Sequence, residues 1–112
     1  YAQNRAASFE RTHGRQGGKE ARWLTAGGAV VAFAITELVG GRGRGACVYV
    51  HELHVRTEWQ RRGLARRLLH GAASEATAAR RGGRLAAMEL EVHADNTDAV
   101  VAYEKMGFED AP

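Results

Sequence analysis

Residues Gln60 to Ala65 read Q-R-R-G-L-A, two arginines against a glycine at the mouth of an apolar helical run. A helix beginning at or near Gly63 leaves its first N–H groups without acceptors inside the helix. Those groups point out of the helix end, and the helix dipole makes that end positive. Gly63 has no Cβ, so an anion can approach the backbone closely. The chemistry on offer is a diphosphate cradle of main-chain donors, with Arg61 and Arg62 adding charge at its rim. The G-x-x-x-x-G-K-[ST] pattern of nucleoside-triphosphate loops is absent, and no G-x-G-x-x-G follows the first strand of a parallel unit.

A second group of residues can move protons. In "YVHELHV", Tyr49 to Val55, period-2 alternation puts Glu52 and His54 on one face if no bulge intervenes, and His51 on the other in a structural role. A half-buried Glu or a His can take a proton directly or through water. His93 is a third candidate. Tyr103 stands at helical spacing, where an isolated tyrosine reads first as a packing aromatic. Cys47 is the single cysteine, so neither an intrachain disulfide nor a multi-cysteine metal site is expected.

The elements that position these residues follow from periodicity. "RWLTA" is a short strand, Gly27-Gly28 a hairpin turn, "AVVAFAITEL" a second strand and "CVYVHELHV" a third, together an antiparallel meander. Leu64, Leu68, Ala72 and Ala76 share a helical face from about Gly63 to Arg81, with Ala65, Leu69 and Ala79 beside it. "RGGR" stops that helix. In "LAAMELEVHA" the residues Met88, Leu90 and Val92 alternate with Glu89, Glu91 and His93, a strand with one buried face. "DNTDAVVAYEKMG" is a second helix, capped by Asp95 or Asn96 and ended by Gly107. "FEDA" reads as a last short strand. The order is β-β-β-α-β-α-β, an α/β fold with a mixed central sheet.

Length and composition limit the alternatives. The chain has 112 residues, 45% hydrophobic and 26% charged, enough for one globular domain. Residues 1–20 form a polar segment, a partial helix or linker, and 21–112 the folded domain. The net charge of +3 favours a polyanionic ligand but is too small to argue for nucleic acid by itself. No apolar run approaches the roughly 18 residues of a membrane span. The expectation is an intracellular domain, cytoplasmic or nuclear, excised from a longer protein.

Three motifs in order resemble the Gcn5-related N-acetyltransferases. Gln60-Arg61-Arg62-Gly63-Leu64-Ala65 is similar to that family's [RQ]-x-x-G-x-[GA] acetyl-coenzyme A motif. Leu53 and Val55 match the L-x-V pair of its fourth strand. "DNTDAVVAYEKMGFE" resembles its N-x-x-A-x-x-x-Y-x-K-x-G-F segment through Asn96, Ala99, Tyr103, Lys105, Gly107 and Phe108. The resemblance covers residues 22 to 110. The family's first strand and its one or two helices before the hairpin, and its strand after "GFE", are short or missing, which suggests truncation at one or both ends.

The resemblance implies an acyltransferase fold with acetyl-coenzyme A as co-substrate, no metal, and a primary amine as acceptor. It implies that main-chain groups of Leu53, His54 and Val55 pair with the pantetheine arm, in the manner of β-augmentation. It further implies that residues Gln60, Arg61, Arg62, Gly63, Leu64 and Ala65 hold the diphosphate and that Asn96 bonds the pantetheine. Tyr103 then gives a proton to the leaving thiolate, and Glu52 or His54 receives the amine's proton. Tyr49-x-x-Glu52 is similar to the histone-type N-terminal acetyltransferase D branch, which implies a protein α-amino group, a histone-like terminus included. Three alternatives stand beside this: acetylation of a lysine or small-molecule amine, a non-catalytic coenzyme A-binding module, and a nucleic-acid module suggested by "GGRGRG". Against the last, the strand faces lack the aromatic platform that single-strand binders use.

Overall fold

The computed structural model describes residues 8–11, 18–40, 46–79 and 85–110. Five strands lie in the order β1-β2-β3-β4-β5, with β1 Ser8–Arg11, β2 Lys19–Ala26, β3 Ala29–Gly40, β4 Ala46–Val55 and β5 Leu85–Leu90. The first four are antiparallel neighbours, and β5 runs parallel to β4. The parallel pair requires a crossover, and helix α1, Leu64–Ala79, supplies it. Helix α2, Thr97–Lys105, follows β5. This is the mixed α/β acyltransferase fold expected from the sequence.

Alternation explains which face meets α1. Leu24, Val31, Ala32 and Ala34 of the sheet close on Leu64 and Leu68 of the helix, with Ala26, Leu53, Val55 and Trp59 around them. Leu64, Leu68 and Ala72 form the buried stripe of α1 at i, i+4 spacing. Leu68 is fully enclosed, and its truncation to alanine costs about 3 kcal/mol. Gly27 and Gly28 both have positive φ, 58° and 82°, as a two-residue hairpin turn between right-twisted strands demands.

Two bulges break the alternation within the antiparallel strands. Leu24 pairs with Ala32 and Thr25 with Val30, so Val31 is an extra residue in β3 and faces inward beside Ala32. Ile35 pairs with Glu52 and Thr36 with Val50, so His51 is an extra residue in β4. Val48 and Val50 before it, and Leu53 and Val55 after it, can therefore all face α1.

Three expectations change. Ser8–Arg11, expected as partial helix or linker, is a strand whose register runs from Ser8 opposite Thr25 to Arg11 opposite Arg22. It is too short and polar to announce itself by alternation, and its pairing comes from backbone hydrogen bonds. It also supplies a first strand before the hairpin, which the sequence reading took as short or missing. Phe108–Asp110 are not a strand. Gly107, at φ 104°, turns the chain, and the Phe108 N–H donates back to the Tyr103 carbonyl at 3.0 Å. Residues 41–45 of "GGRGRG" and the helix stop at 81–84 fall outside the described residues, as does Ala111.

Candidate functional site

The β4–β5 ladder runs from Ala46 opposite Leu85 to Val50 opposite Leu90 and ends there. β4 continues five residues further, to Val55, still paired with β3. From His51 to Val55 its other edge has no partner strand among the described residues, while the chain after Leu90 leaves as a turn. The bulge at His51 sits where the two parallel strands part, the kind of position where bulges re-aim side chains. The side chains of Leu53 and Val55 pack toward the core, so what they present to this gap is main chain.

At the end of β4 the chain makes a single 3₁₀ turn, Thr57–Trp59, and enters the Q-R-R-G segment. The Gln60 side chain donates through Nε2 to the Val55 carbonyl at 3.0 Å, tying the loop to the strand. Arg61 has φ 64° and Gly63 φ 78°. A non-glycine residue in the left-handed region costs on the order of 1–3 kcal/mol and survives only where its surroundings fix it. Arg62 lies with its guanidinium 5.0 Å from the Trp59 ring centroid. The first helical bond runs from the Arg67 N–H to the Gly63 carbonyl at 3.0 Å, leaving the amides of Leu64, Ala65 and Arg66 without acceptors inside the helix. A Cβ on Gly63 would meet nothing within 4 Å, so the space beside Gly63 at the helix start is open. Leu64 itself is buried in the core and Ala65 partly so, which fixes the helix end.

Asn96 caps α2. Its Oδ1 accepts from the Ala99 N–H at 3.3 Å, and its own N–H donates to the His93 carbonyl at 2.9 Å. Tyr103, two turns along, meets Phe108 edge-on with ring centroids 5.8 Å apart. Burial pushes its hydroxyl above the usual tyrosine value. The side chain of His93 is exposed at the α2 entrance.

The bulge brings more residues to one face than alternation alone predicts. His54 Nε2 lies 3.3 Å from Glu52 Oε1, and the His54 ring stacks on Phe33 at 4.8 Å between centroids and 25° between planes. His51 is not on the opposite face. Its Nε2 is 2.8 Å from Glu37 Oε1, and its ring meets Tyr49 edge-on at 4.8 Å. Glu37 and Tyr49 are cross-strand partners on the face away from α1, and His51, two residues after Tyr49, shares that face; the extra residue in β4 brings Glu52 and His54 to it as well. Tyr49 in turn donates to Glu91 Oε1 at 2.8 Å, and that bond, with desolvation and the nearby carboxylates of Glu91 and Glu89, raises its pKa.

Two relationships escaped the sequence reading. Glu91 was legible as a polar strand residue, but its bond to Tyr49 depends on where the parallel ladder stops. Arg22, on the buried face of β2, donates to Thr36 Oγ1 at 3.2 Å and to the carboxylate of Glu75 on α1. A lone arginine in a strand gives no sign of a buried partner 53 positions away. Among the described residues no group of three or more His, Cys, Asp or Glu could hold a metal ion, and no helix is long and apolar enough to cross a membrane.

The fold has relatives among solved structures. The ribosomal-protein-S18-alanine N-acetyltransferase of Escherichia coli superposes with a TM-score of 0.66 at 33% identity, over 88% of this chain and 57% of that one. An aminoglycoside N-acetyltransferase in complex with CoA gives 0.69 at 20% identity, over 88% of this chain and 64% of that one. An aminoglycoside acetyltransferase from an uncultured soil metagenomic sample, in complex with trehalose, gives 0.73 at 15% identity, again over 88% and 64%. The chain thus spans less than two thirds of the length of each of these structures. No curated protein matches it in sequence. A profile of the acetyltransferase (GNAT) family matches residues 4–108, nearly the whole chain, and the chain belongs to that family.

Proposed function

We propose that the chain transfers an acetyl group from acetyl-coenzyme A to a primary amine, and that the amine is an α-amino group at a protein N-terminus. The observation that carries the reaction is the juxtaposition of an unpartnered β4 edge, His51 to Val55, with the open helix start at Gly63. A strand edge takes an extended amide-bearing arm, and a helix start takes a diphosphate. Coenzyme A carries both, joined.

In this reading the amides of Leu64, Ala65 and Arg66 and the charges of Arg61 and Arg62 bind the diphosphate. Gln60 shapes the loop through its bond to Val55. The main chain of Leu53, His54 and Val55 pairs with the pantetheine arm, and an N–H there polarises the thioester carbonyl. The Asn96 Oδ1 is engaged in capping, so the NH₂ of the same carboxamide is what it offers a pantetheine carbonyl. Tyr103, kept protonated by burial, donates to the departing thiolate. Glu52, with His54 beside it, receives the proton that the ammonium must lose before it can attack.

The acceptor class draws support from the Escherichia coli relative, which acts on an alanine of a ribosomal protein and is the most similar in sequence of the three described above. The histone-type branch suggested by Tyr49-x-x-Glu52 gains no such support, so the proposal is for protein α-amines as a class. A small-molecule amine is the second reading, favoured by the aminoglycoside-modifying structures. Turnover with acetyl-coenzyme A against peptide N-termini, lysine peptides, polyamines and aminoglycosides tests both. Preference for free peptide α-amines is expected. Preference for aminoglycosides selects the second reading, and coenzyme A binding with no transfer to any amine identifies a non-catalytic binding module.

A further inference from the structure

Helix α2 carries Asn96 at its start and Tyr103 near its end, yet none of its residues is buried. A helix with so little packing takes its position from a few specific contacts. At its C-terminus the last four carbonyls need donors from beyond the helix ladder. The following chain serves three of them. The Met106 N–H donates to the carbonyls of Ala102 at 3.2 Å and Tyr103 at 3.0 Å, and the Gly107 N–H to that of Glu104 at 3.0 Å. The remaining carbonyl, of Lys105, accepts from Arg66 Nη2 at 3.1 Å. The guanidinium also sets a positive charge at the negative end of the α2 dipole.

Arg66 stands in the first turn of α1, and its own N–H is among those left without an acceptor inside that helix. One residue therefore serves both parts of the site. Its main chain belongs to the helix start, and its side chain holds the end of the helix that carries Tyr103. Beyond this bond an open groove separates the two elements, with Leu69 and Ala73 of α1 and Met88 of β5 on one side and Met106 and Phe108 on the other. The edge contact of Tyr103 with Phe108 lies within one segment and moves with it, so it does not fix α2 against α1. Tyr103 is two residues before Lys105, so a shift of the Lys105 carbonyl is carried to the tyrosine.

Resting on the acetyl-transfer reading, we infer that Arg66 is the positioning residue for Tyr103, through its bond to the Lys105 carbonyl. The diphosphate and the sulfur are two points of one ligand. On this inference the bond ties the helix start that receives the first to the helix end that protonates the second. A misplacement of about 1 Å in such a group can cost on the order of 10² in rate.

The test is a double-mutant cycle in kcat, with wild type, Arg66→Met, Tyr103→Phe and the double variant, beside calorimetric titration with coenzyme A. The acceptor is the amine of the panel above that the wild type acetylates. Position 66 is exposed, and methionine keeps the stem and the helix propensity, so the fold is retained. Arg66→Met is expected to lower kcat on the order of tenfold in the wild-type background and by less than about twofold in the Tyr103→Phe background, because a residue acting through the hydroxyl then has nothing left to position. Coenzyme A affinity should stay within about threefold, since the Arg66 amide remains and the lost charge is exposed and screened.

Losses that multiply across the cycle would make the two residues independent and overturn the inference, as would a wild-type kcat in Arg66→Met. A loss of coenzyme A affinity in place of kcat would make the guanidinium a diphosphate ligand and also overturn it. A wild-type kcat in Tyr103→Phe removes the group to be positioned and overturns the inference with acetyl transfer still standing. A wild-type chain that binds coenzyme A but acetylates no amine overturns the acetyl-transfer reading and this inference together.

Discussion

The guanidinium of Arg22, on β2, bonds the carboxylate of Glu75, on α1, and so pins the sheet to the helix that starts after Gly63. The Arg22 side chain is 3% exposed and that of Glu75 34% exposed, so the two ends of the pair differ in their access to water. Removing the carboxylate leaves a buried cation with Thr36 and, at 3.9 Å, Glu20. Removing the cation leaves a carboxylate that water can reach. Glu75→Ala should therefore destabilise by about 3 kcal/mol, and Arg22→Met, which keeps length and apolar contact, by less. Denaturant unfolding of both variants checks the order. A larger loss in Arg22→Met would mean that stem packing, not burial of charge, dominates.

Arg61 and Gly63 share a left-handed backbone but not its cost. Gly63 adopts φ 78° freely, whereas Arg61 at 64° is strained. Arg61→Gly should leave stability unchanged or raise it by up to about 1 kcal/mol, since relief of strain offsets the greater freedom of the unfolded chain. It should still weaken coenzyme A by about 1–2 kcal/mol through loss of a charged contact. Gly63→Val should lose stability through its φ and lose coenzyme binding severely, since its side chain occupies the open space at the helix start that the diphosphate needs on the proposed reading. Calorimetric titration beside thermal unfolding separates the two effects. Unchanged affinity in a folded Gly63→Val protein would place the diphosphate elsewhere.

The meander and the first crossover were legible because each rests on a local rule. Gly27-Gly28 marks a two-residue turn, and Leu64, Leu68 and Ala72 mark one helical face. What the sequence concealed depends on register. Nothing in "YVHELHV" marks His51 as an extra residue, because the bulge is defined by the partner strand, where Ile35 and Thr36 pair with Glu52 and Val50. One inserted residue reverses which side chains share a face, and it put Glu52 and His54 on the side of Tyr49 and His51. The Tyr49–Glu91 bond likewise follows from where the parallel ladder ends. Asn96 as cap and Gly107 as helix terminator were readable from residue type alone, but the course of Phe108–Asp110 after that glycine was not.

Tyr103→Phe separates packing from proton donation. The substitution keeps the edge contact with Phe108 and removes only the hydroxyl. Burial raises the Tyr103 pKa, so the folded state favours the neutral form, and any stability linked to it is present below pH 10 and is lost as pH rises through the raised value. At neutral pH the hydroxyl is thus fully protonated and available. Fold and coenzyme affinity should be unchanged while kcat falls on the order of 10²-fold, because the proton is needed only as charge develops on sulfur. An unchanged kcat would leave Tyr103 as a packing residue.

Glu52 and His54 are 3.3 Å apart, and their surroundings give them different parts. The His54 ring is stacked on Phe33, which limits its freedom to follow a substrate, while its Nε2 faces the Glu52 carboxylate. Glu52 can hold an ammonium by charge and then take its proton through water. Glu52→Gln is therefore expected to lower kcat/KM at neutral pH more than His54→Gln does, with His54→Gln acting through the orientation of the carboxylate. The pH profiles of both variants decide the matter. If the ascending limb disappears in His54→Gln and survives in Glu52→Gln, the roles are reversed and the imidazole is the acceptor. If it survives in both, neither removes the proton, and water alone or His93 takes it.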